Sequence, residues 1–337
     1  MKSTLSFDDV LLVPQYSDIE SRKQEVSLAS TLGQITTQIP VISSPMDTVT
    51  EGTMAQAMDD LGGLGIIHRY NTIQEQSALI KTANSANNVG AAIGVSGDFV
   101  ERAQEAISAG ANILCVDIAH GHHTLMRHAL KVLRNTLGTQ VHIMAGNVAT
   151  RKAVDDLADW GADSVRVGIG GGSICSTRIQ TGHGMPTLHS IIECAKSDRD
   201  VALIADGGIR NSGDICKALA AGADFVMLGS MLSGTDEAPG DKHFDSRTGK
   251  FYKAYRGMAS VEAQIDWRGH TSSVEGVAST VDYKGPVQSV LTDITRGVKS
   301  GLSYSGARTI REFQARSQMI RITSSGMAES RTHILNT

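Results

Sequence analysis

The amino-acid sequence predicts an α/β protein folded as a (β/α)8 TIM barrel, and two observations support this prediction. Eight short apolar runs alternate with helix-like segments through the first 230 residues, as the strands and helices of this barrel do. Most of these runs are continuously apolar, which is typical of strands covered on both faces. The predicted strands are Ile39–Ser43, Leu64–His68, Val89–Val95, Asn112–Ile118, Val141–Ala145, Ser164–Ile169, Val201–Ala205 and Asp224–Leu228.

The segments between these strands carry apolar residues three and four positions apart, the spacing of an amphipathic helix. A weak internal repeat marks where helices end and strands begin: Ala109–Asn112, Trp160–Asp163 and Ala221–Asp224 each place glycine second. Glycine readily adopts the left-handed turn that ends many helices. A doubly wound open sheet is the alternative, but its GxGxxG fingerprint is not found near the start, so the barrel is favoured. The predicted helices include Phe99–Ala109, Leu125–Leu137, Ala153–Asp159, Leu188–Ala195 and Gly213–Ala220.

The alternating pattern ends after Leu228. Residues 235–285 are polar and irregular, so we expect a long loop there that includes an active-site flap. Two helical segments, Val287–Lys299 and Ala307–Arg316, follow it. No linker composition divides the chain, and we expect residues 1–337 to form one catalytic barrel domain.

Composition excludes several classes of protein. With 41% hydrophobic residues, the chain of 337 is neither disordered nor a disulfide miniprotein. Its 35 acidic and 31 basic residues form no long run of like charge, so neither a nucleic-acid surface nor a polybasic membrane patch is expected. No apolar stretch reaches the roughly 18 to 20 residues of a membrane span, and the amino terminus does not resemble a signal peptide. The 4 cysteines lack CxxC or metal-ligand spacing, which indicates a reduced, cytoplasmic protein.

Barrel active sites lie at the carboxyl ends of the strands, and this rule selects a short set of candidates. The glycines after the last two strands are placed to hold a phosphate on backbone N–H groups, although they could instead serve only as tight turns. Asp206 could accept hydrogen bonds from ribose hydroxyls or cap the following helix. The candidate segments are Ser44–Asp47, His68–Tyr70, Asp117, Gly146-Asn147, Gly168–Arg178, Asp206–Gly208 and Gly229-Ser230.

The segment Gly168–Arg178 is the most informative of these. Three consecutive glycines precede Cys175, so its thiol is expected to be accessible, whereas the other cysteines fall in apolar or helical segments of the core. Backbone N–H groups and a nearby arginine would stabilise a thiolate nucleophile there. The carbonyl groups of such a loop are also suitable ligands for a hard monovalent cation.

At these residues the sequence resembles the IMP dehydrogenase/GMP reductase family, and the resemblance covers nearly the whole chain. Gly171 departs from the family pattern, which usually has proline there, and Ser176 replaces a common threonine. The motifs that carry the resemblance are Asp8–Leu12, Met46–Glu51, Gly146–Val148, Gly170–Arg178, Asp206–Gly208, Gly229–Met231 and Tyr255–Ser260.

The resemblance implies a bound purine mononucleotide whose C2 atom is attacked by Cys175. It places the nicotinamide of a dinucleotide beside Asp117, Asn147 and the backbone of Gly168, Ile169 and Gly170. It places a potassium ion on carbonyls of Gly170, Gly172 and Cys175. A homotetramer is also implied. The tail Ala328–His333 resembles the one that reaches a neighbouring subunit's cation site in the dehydrogenases, and a frayed, solvated chain end is the alternative. The implied nucleotide-binding residues are Met46, Ser173, Asp206, Gly207, Gly208, Gly229, Ser230, Tyr255, Gly257, Met258 and Ser260.

Members of this family run two opposite reactions, and the flap separates them. Dehydrogenases oxidise IMP with NAD and then hydrolyse the intermediate with an adjacent Arg-Tyr pair on the flap. Here the flap, about Val261–Glu275, contains Arg268 without a following tyrosine. Arg69-Tyr70 lies after the second strand and is interpreted as structural. The regulatory tandem domain that most dehydrogenases insert is absent, because Gly94–Ser96 runs straight into a helix.

The reductase reaction expels ammonia from GMP and forms IMP with NADPH. Glu275 matches the reductase's catalytic glutamate, and with Thr177 it would carry the proton that releases ammonia. We therefore predict an NADPH-dependent GMP reductase. Dehydrogenase-like motifs at Ser43–Glu51, Asp117–His122 and Gly234–Gly240 keep IMP dehydrogenase with NAD as the alternative. A barrel that only binds purine nucleotides is a third possibility, although such a protein needs neither Cys175 nor Thr177.

Overall fold

The computed structural model describes residues 3–83 and 85–332. The predicted tail Ala328–His333 therefore ends at a residue, His333, that lies outside the described ranges. A 3-10 turn at Phe7–Asp9 opens the described chain. The elements before the barrel are β1 (Val10–Leu12), α1 (Arg22–Glu25), β2 (Ser30–Leu32) and β3 (Ile35–Thr37).

Eight parallel strands close into a barrel, in which each strand pairs with the next and the last pairs with the first. Ile42 aligns with Leu64 at one junction, and Val226 aligns with Val41 where the barrel closes. This confirms the predicted TIM barrel. The barrel strands are β4 (Val41–Ser43), β5 (Leu64–Ile67), β6 (Val89–Ile93), β7 (Ile113–Asp117), β8 (His142–Val148), β9 (Ser164–Val167), β10 (Ala202–Asp206) and β11 (Phe225–Leu228).

Helices cover the outside of the barrel. Their caps agree with the sequence: Thr72, Thr150 and Asn211 each accept a hydrogen bond from a first-turn N–H group. The five predicted helices between the strands are confirmed to within two residues at each end, whereas the predicted Val287–Lys299 extends to Tyr304 and the predicted Ala307–Arg316 begins at Ile310. The covering helices are α2 (Gly52–Asp60), α3 (Ile73–Thr82), α4 (Phe99–Ser108), α5 (Thr124–Leu137), α6 (Arg151–Asp159), α8 (Thr187–Cys194) and α9 (Ser212–Ala220). The short helix α7 (Thr177–Thr181), which follows Cys175, buries none of its residues.

The β2–β3 hairpin plugs the amino-terminal end of the barrel. Leu32 is fully buried among side chains of the barrel interior, including Ile42, Ile113 and Phe225. The Ser30 hydroxyl donates to the carbonyl of Asp224, which directly precedes β11. The apolar interior therefore fills this end, and the carboxyl ends of the strands are left for a site.

The segment after β11 differs from the prediction, because residues 235–285 are not an irregular loop. They form a three-stranded antiparallel sheet with a helix inserted between its second and third strands. Burial alternates along β13, where Lys253 and Tyr255 are buried and Ala254 is exposed. Because the sheet is mostly solvated, its polar sequence resembles that of a loop. The elements are β12 (His243–Asp245), β13 (Lys250–Arg256), α10 (Val261–Arg268) and β14 (Ala278–Asp282).

The last elements are α11 (Val287–Tyr304), α12 (Ile310–Arg316), β15 (Met319–Arg321) and α13 (Ser324–Glu329). Strand β15 pairs antiparallel with β1, with Val10 opposite Arg321. Helix α11 packs closely on α9, since a Cβ atom at Gly301 would lie 2.3 Å from the Cys216 sulfur. Within the described ranges, no helix is both long enough and apolar enough to cross a membrane.

Candidate active site

The carboxyl ends of the strands surround a cavity of about 300 Å³. All but one of the residues predicted to act in catalysis or to bind the nucleotide, the dinucleotide or the cation line it. Ser260 is the exception, because it is fully buried and its hydroxyl caps α10 by accepting the Ala263 N–H group. The predicted residues that line the cavity are Met46, Asp117, Asn147, Gly168, Ile169, Gly170, Gly172, Ser173, Cys175, Thr177, Asp206, Gly207, Gly208, Gly229, Ser230, Tyr255, Gly257, Met258 and Glu275.

A chain of hydrogen bonds runs from Cys175 to a carboxylate. The Cys175 thiol lies 3.2 Å from the Thr177 hydroxyl, and that hydroxyl donates to Glu275 Oε2 at 2.7 Å. Cys175 is partly exposed, whereas the other three cysteines are buried. Burial raises the pKa of Cys115 to about 11 and that of Cys194 and Cys216 to about 12. Of the four thiols, Cys175 alone combines access with a path for its proton.

Backbone pairing brings Glu275 to the cysteine loop. The Ser176 N–H group donates to the Glu275 carbonyl at 2.9 Å, and the Val277 N–H group donates to the Ile174 carbonyl at 3.0 Å. The Glu275 N–H group also bonds to the carbonyl of Ala259. The segment that follows α10 is thus held against the loop before α7, and the carboxylate position follows from this docking.

A buried arginine, Arg166, links two acids in the cavity wall. It lies on β9, and its Nη1 donates to Asp117 Oδ1 at 2.7 Å and its Nη2 to Asp206 Oδ2 at 2.8 Å. Burial disfavours its charge, but Cys115, Asp206 and Asp117 outweigh this effect and hold the pKa of the guanidinium well above its usual value. Sequence reasoning missed Arg166, although one charged residue in the buried strand Ser164–Val167 was an available signal.

Asp206 retains one oxygen for a ligand. Its Oδ2 accepts hydrogen bonds from Arg166 and from Asn147 Nδ2, the latter at 2.8 Å. No donor within the described residues reaches its Oδ1. The helix-cap alternative is wrong, because Asn211 caps α9. An acceptor fixed in this way suits a hydroxyl-bearing ligand.

The glycine turns after β10 and β11 allow close approach of a ligand to the backbone. Gly207 and Gly208 have positive φ angles of 91° and 80°, which disfavour other residues. A Cβ atom at Gly229 would lie 2.8 Å from the Tyr255 hydroxyl. Burial raises the pKa of that phenol while hydrogen bonds with Ser173 and Ser230 oppose the rise. Hydroxyl groups and an approachable backbone together form a cradle suited to a phosphate.

Both residues of the Arg69-Tyr70 pair line the cavity, and their contacts agree with the predicted structural role. The Tyr70 ring stacks on Trp267 of α10, with centroids 4.2 Å apart. The Arg69 guanidinium lies 5.5 Å from the Trp267 ring, and its Nη2 donates to the Asp117 carbonyl at 3.2 Å. This pair therefore also holds α10 beside the site.

Other contacts fix the flap and turn Arg268 away from the cavity. The Arg268 guanidinium bonds to Gln264 and Ser272 within the flap itself. Arg256 bridges two acids, donating to Asp47 Oδ2 at 2.7 Å and to Asp266 Oδ2 at 2.6 Å. The flap is thus joined to the loop after β4, which carries Met46.

The cysteine loop fits the predicted monovalent cation in donor chemistry. The Gly172 carbonyl accepts the Cys175 N–H group at 3.2 Å. The carbonyls of Gly170 and Cys175 accept no hydrogen bond from the described part of the chain. No group of three His, Cys, Asp or Glu residues suited to a metal occurs in residues 3–83 and 85–332. Carbonyl oxygens are ligands that potassium accepts.

Comparison with known proteins relates the chain to one enzyme family. The chain matches the model of the IMP dehydrogenase / GMP reductase domain over residues 4–333. It is 36% identical to inosine-5′-monophosphate dehydrogenase of Nitrosopumilus maritimus, covering 98% of each chain. It is 32% identical to GMP reductase of Leishmania major, covering 98% of this chain and 96% of the relative. Both alignments are much longer than the chain, so these relatives carry insertions that it lacks.

A solved structure gives a similar result. A cysteine-to-alanine variant of GMP reductase from Trypanosoma brucei, in complex with guanosine 5′-monophosphate, superimposes with a TM-score of 0.93. The two chains are 32% identical, and the match covers 99% of this chain and 98% of the other.

Proposed function

Because the chain belongs to the IMP dehydrogenase/GMP reductase family, we propose that it is a GMP reductase. It converts GMP to IMP and ammonia with a reduced nicotinamide dinucleotide, which the resemblance implies is NADPH. The observation that carries this proposal is the hydrogen-bonded chain Cys175–Thr177–Glu275. An amine is a poor leaving group unless it is protonated, and this chain leads a proton from the nucleophile toward the reacting carbon.

The cavity supports binding of a purine mononucleotide. The phosphate lies in the cradle of Ser173, Gly208, Gly229, Ser230 and Tyr255. The free Oδ1 of Asp206 accepts a ribose hydroxyl, while hydrogen bonds from Arg166 and Asn147 fix the orientation of that carboxylate. The purine lies over Met46 and against Gly257 and Met258, with C2 directed to Cys175.

The first step releases ammonia. The Cys175 sulfur forms a bond to purine C2, and the thiol proton passes through Thr177 and Glu275 to the amino group. The C2–N bond then breaks, and ammonia leaves with its electron pair. One thiol and one GMP thus become one sulfur-linked purine and one ammonia, so atoms and charge balance.

The second step restores the thiol. A reduced dinucleotide supplies one hydride to C2 when it is bound beside Asp117 and Asn147. The C2–S bond then breaks, its electron pair returns to Cys175, and one proton regenerates the thiol. The products of this step are IMP and the oxidised dinucleotide. A potassium ion on the carbonyls of Gly170, Gly172 and Cys175 would order the cysteine loop, and we propose a homotetramer as the assembly.

IMP dehydrogenase is the second candidate, and one observation favours it. The pair Arg69-Tyr70 lines the cavity, so an adjacent arginine and tyrosine are present there, although the flap itself has Arg268 without a following tyrosine. The relatives named above also include a dehydrogenase. Against this candidate, Arg69 is engaged with Asp117 and Tyr70 is stacked on Trp267.

Absorbance at 340 nm separates these candidates in two assays with purified protein and potassium. The proposal predicts loss of absorbance with GMP and the reduced dinucleotide, with ammonia and IMP formed in equal amounts. A rise with IMP and NAD, with XMP formed, would instead establish the dehydrogenase. If neither assay responds while calorimetry shows GMP binding, the protein is a nucleotide-binding barrel without turnover.

A further inference from the structure

The turn after β11 carries part of the phosphate cradle. Gly229 and Ser230 begin this turn, and both line the active-site cavity. The Gly229 carbonyl accepts the N–H groups of Leu232 and Ser233 at 3.0 and 2.9 Å, so these residues form one helical turn. The carbonyl groups that follow Gly229 have no such partner inside the turn, as at the end of any helix. They therefore need donors from elsewhere in the chain.

The Lys284 side chain, which follows β14, supplies most of these donors. Its ammonium group donates to the carbonyls of Met231 at 3.3 Å and Ser233 at 2.7 Å, and also to that of Ser230. The one remaining carbonyl of the turn accepts the Thr235 hydroxyl at 2.8 Å. One lysine thus fixes the side of the turn that is opposite to its cavity-lining start.

The backbone around Lys284 holds the same segment. Its N–H group donates to the Gly234 carbonyl at 2.9 Å, and the Gly285 carbonyl accepts the Asp236 N–H group at 3.0 Å. The chain after β14 therefore runs parallel to the segment that leaves the turn, with Thr235 opposite Gly285. This pairing places the lysine side chain beneath the turn.

The charge of Lys284 has no acidic partner within hydrogen-bond distance among the described residues. The side chain is half-buried, and burial lowers the pKa of its ammonium group, with only Asp282 opposing this effect. Asp282 itself pairs with Lys250 at 3.6 Å. Burying a charge without a counter-charge is costly. A lysine at this position therefore suits a site where a ligand brings negative charge.

Lys253, on β13 of the same sheet, provides a contrast. It is 4% exposed, and its ammonium group donates to the carbonyls of Thr235, at 3.1 Å, and Ala238. Burial lowers its pKa as well, but three acidic side chains within residues 236–241 oppose this effect. The charge of Lys253 is thus balanced by the chain itself, whereas that of Lys284 is not.

We propose that Lys284 is a positioning residue for the nucleotide phosphate. It orders the turn that begins at Gly229 and Ser230, and its ammonium charge offsets the charge of the phosphate across that turn. Hydrogen bonds from a cation to the carbonyls also polarise the peptide groups of the turn, which strengthens their N–H groups as donors. Lys284 therefore acts on phosphate binding and not on the chemistry at C2. This inference rests on the proposed function.

Calorimetry with GMP and guanosine tests this role, because the two ligands differ only in the phosphate. Lys284→Gln keeps N–H donors for the carbonyls but removes the charge. We expect it to bind GMP about tenfold more weakly and guanosine with unchanged affinity. Lys284→Arg restores the charge and should recover most of the affinity for GMP. Lys253→Gln is the matched control, since it removes a more deeply buried ammonium group, and it should leave the ratio of the two affinities unchanged.

An equal loss of affinity for both ligands in Lys284→Gln would make Lys284 a purely structural residue and overturn the inference. An unchanged affinity for GMP, or the same change of ratio in Lys253→Gln, would also overturn it. In turnover, Lys284→Gln should raise KM for GMP and leave kcat nearly unchanged.

Lysine acetylation of the wild-type enzyme, followed by mass spectrometry, tests the inference without any variant. Saturating GMP should slow acetylation of Lys284 several-fold, because a nearby phosphate favours the charged ammonium form, whereas guanosine should not. Equal protection by the two ligands would contradict the inference. If GMP binds but is not reduced, the proposed function fails, while the comparison of GMP with guanosine still decides the role of Lys284.

Discussion

The Thr177 hydroxyl donates a 2.7 Å hydrogen bond to the Glu275 carboxylate across 98 positions of sequence. One residue begins a helix after β9, and the other follows the flap helix. The bond exists only because backbone pairing holds the two segments together. In the proposed mechanism, proton transfer from Cys175 therefore depends on docking of the flap.

Glu275→Gln tests the proton path. We expect ammonia release from GMP to slow by about 100-fold or more, which is the usual contribution of a positioned general acid or base. The affinity for GMP should change little. Stopped-flow ammonia release and calorimetry measure the two effects, with Glu262→Gln on the exposed side of α10 as control. A change in affinity alone would make Glu275 a binding residue.

Cys175→Ala tests the covalent step. Turnover should fall to background, because no other accessible thiol lies in the described chain, while GMP still binds in the unaltered phosphate cradle. Mass spectrometry should detect a covalent purine adduct on the wild-type enzyme and none on the variant. The buried Cys194→Ala is the matched control and should keep the adduct. Substantial turnover by Cys175→Ala would remove the covalent mechanism.

Arg166→Met tests the buried charge network. The change leaves Asp117 and Asp206 without their shared partner, and breaking a buried pair costs about 3 to 5 kcal/mol. We expect the free energy of unfolding, measured in urea, to fall by this amount. Arg199 pairs with Asp159 on the surface, so Arg199→Met should cost less than about 1 kcal/mol. Equal losses in the two variants would contradict the role assigned to Arg166.

The lowered pKa of His142 predicts that the free energy of unfolding decreases in mild acid. Burial lowers its pKa, Asp163 opposes that effect and Arg134 reinforces it. Because the folded pKa lies below the unfolded value of about 6.5, the unfolded chain binds more protons. The neutral imidazole therefore contributes stability that is present above pH 6.5 and lost as the pH falls below it, by up to about 1.4 kcal/mol per pH unit.

Urea unfolding between pH 5 and 7.5 measures this dependence. His142→Gln keeps a polar group beside Ser164, to which the imidazole now bonds at 2.8 Å, and should flatten the curve. His243→Gln, on the exposed strand β12, should leave it unchanged. An unaltered slope in His142→Gln would assign the dependence to other groups.

Asp266→Asn tests the salt bridge between Arg256 and the flap helix α10. Arg256 forms salt bridges to both Asp47 and Asp266, and the substitution removes the charge of Asp266, the partner on the flap. Since Asp266 is largely exposed, we expect little change in global stability but faster hydrogen exchange over residues 261–276, and a several-fold lower kcat. Asp293→Asn, on the exposed face of α11, is the control. Unchanged exchange would show that the Tyr70–Trp267 stack alone holds the helix.

The sequence predicted the barrel well because its strands are buried on both faces and its helices end at glycine. It failed at residues 235–285, where a solvated sheet has the composition of a loop. The rule that barrel sites lie at strand ends predicted cavity residues such as Asp117, Asn147 and Asp206, whereas Tyr255, Gly257, Met258 and Glu275 were implied only by the family resemblance. Ser260 was misplaced, since a serine before a helix serves equally as a cap. Arg166 was missed because only the tertiary structure shows which acids face it.

The β2–β3 plug has a kinetic consequence. Leu32 fills the amino-terminal end of the barrel interior, so both reactants must enter from the end where the strands have their carboxyl termini. Mononucleotide bound deep against the glycine turns would then be covered by its dinucleotide partner. For the proposed GMP reductase, this layout predicts ordered kinetics in which GMP binds before the dinucleotide and IMP dissociates last.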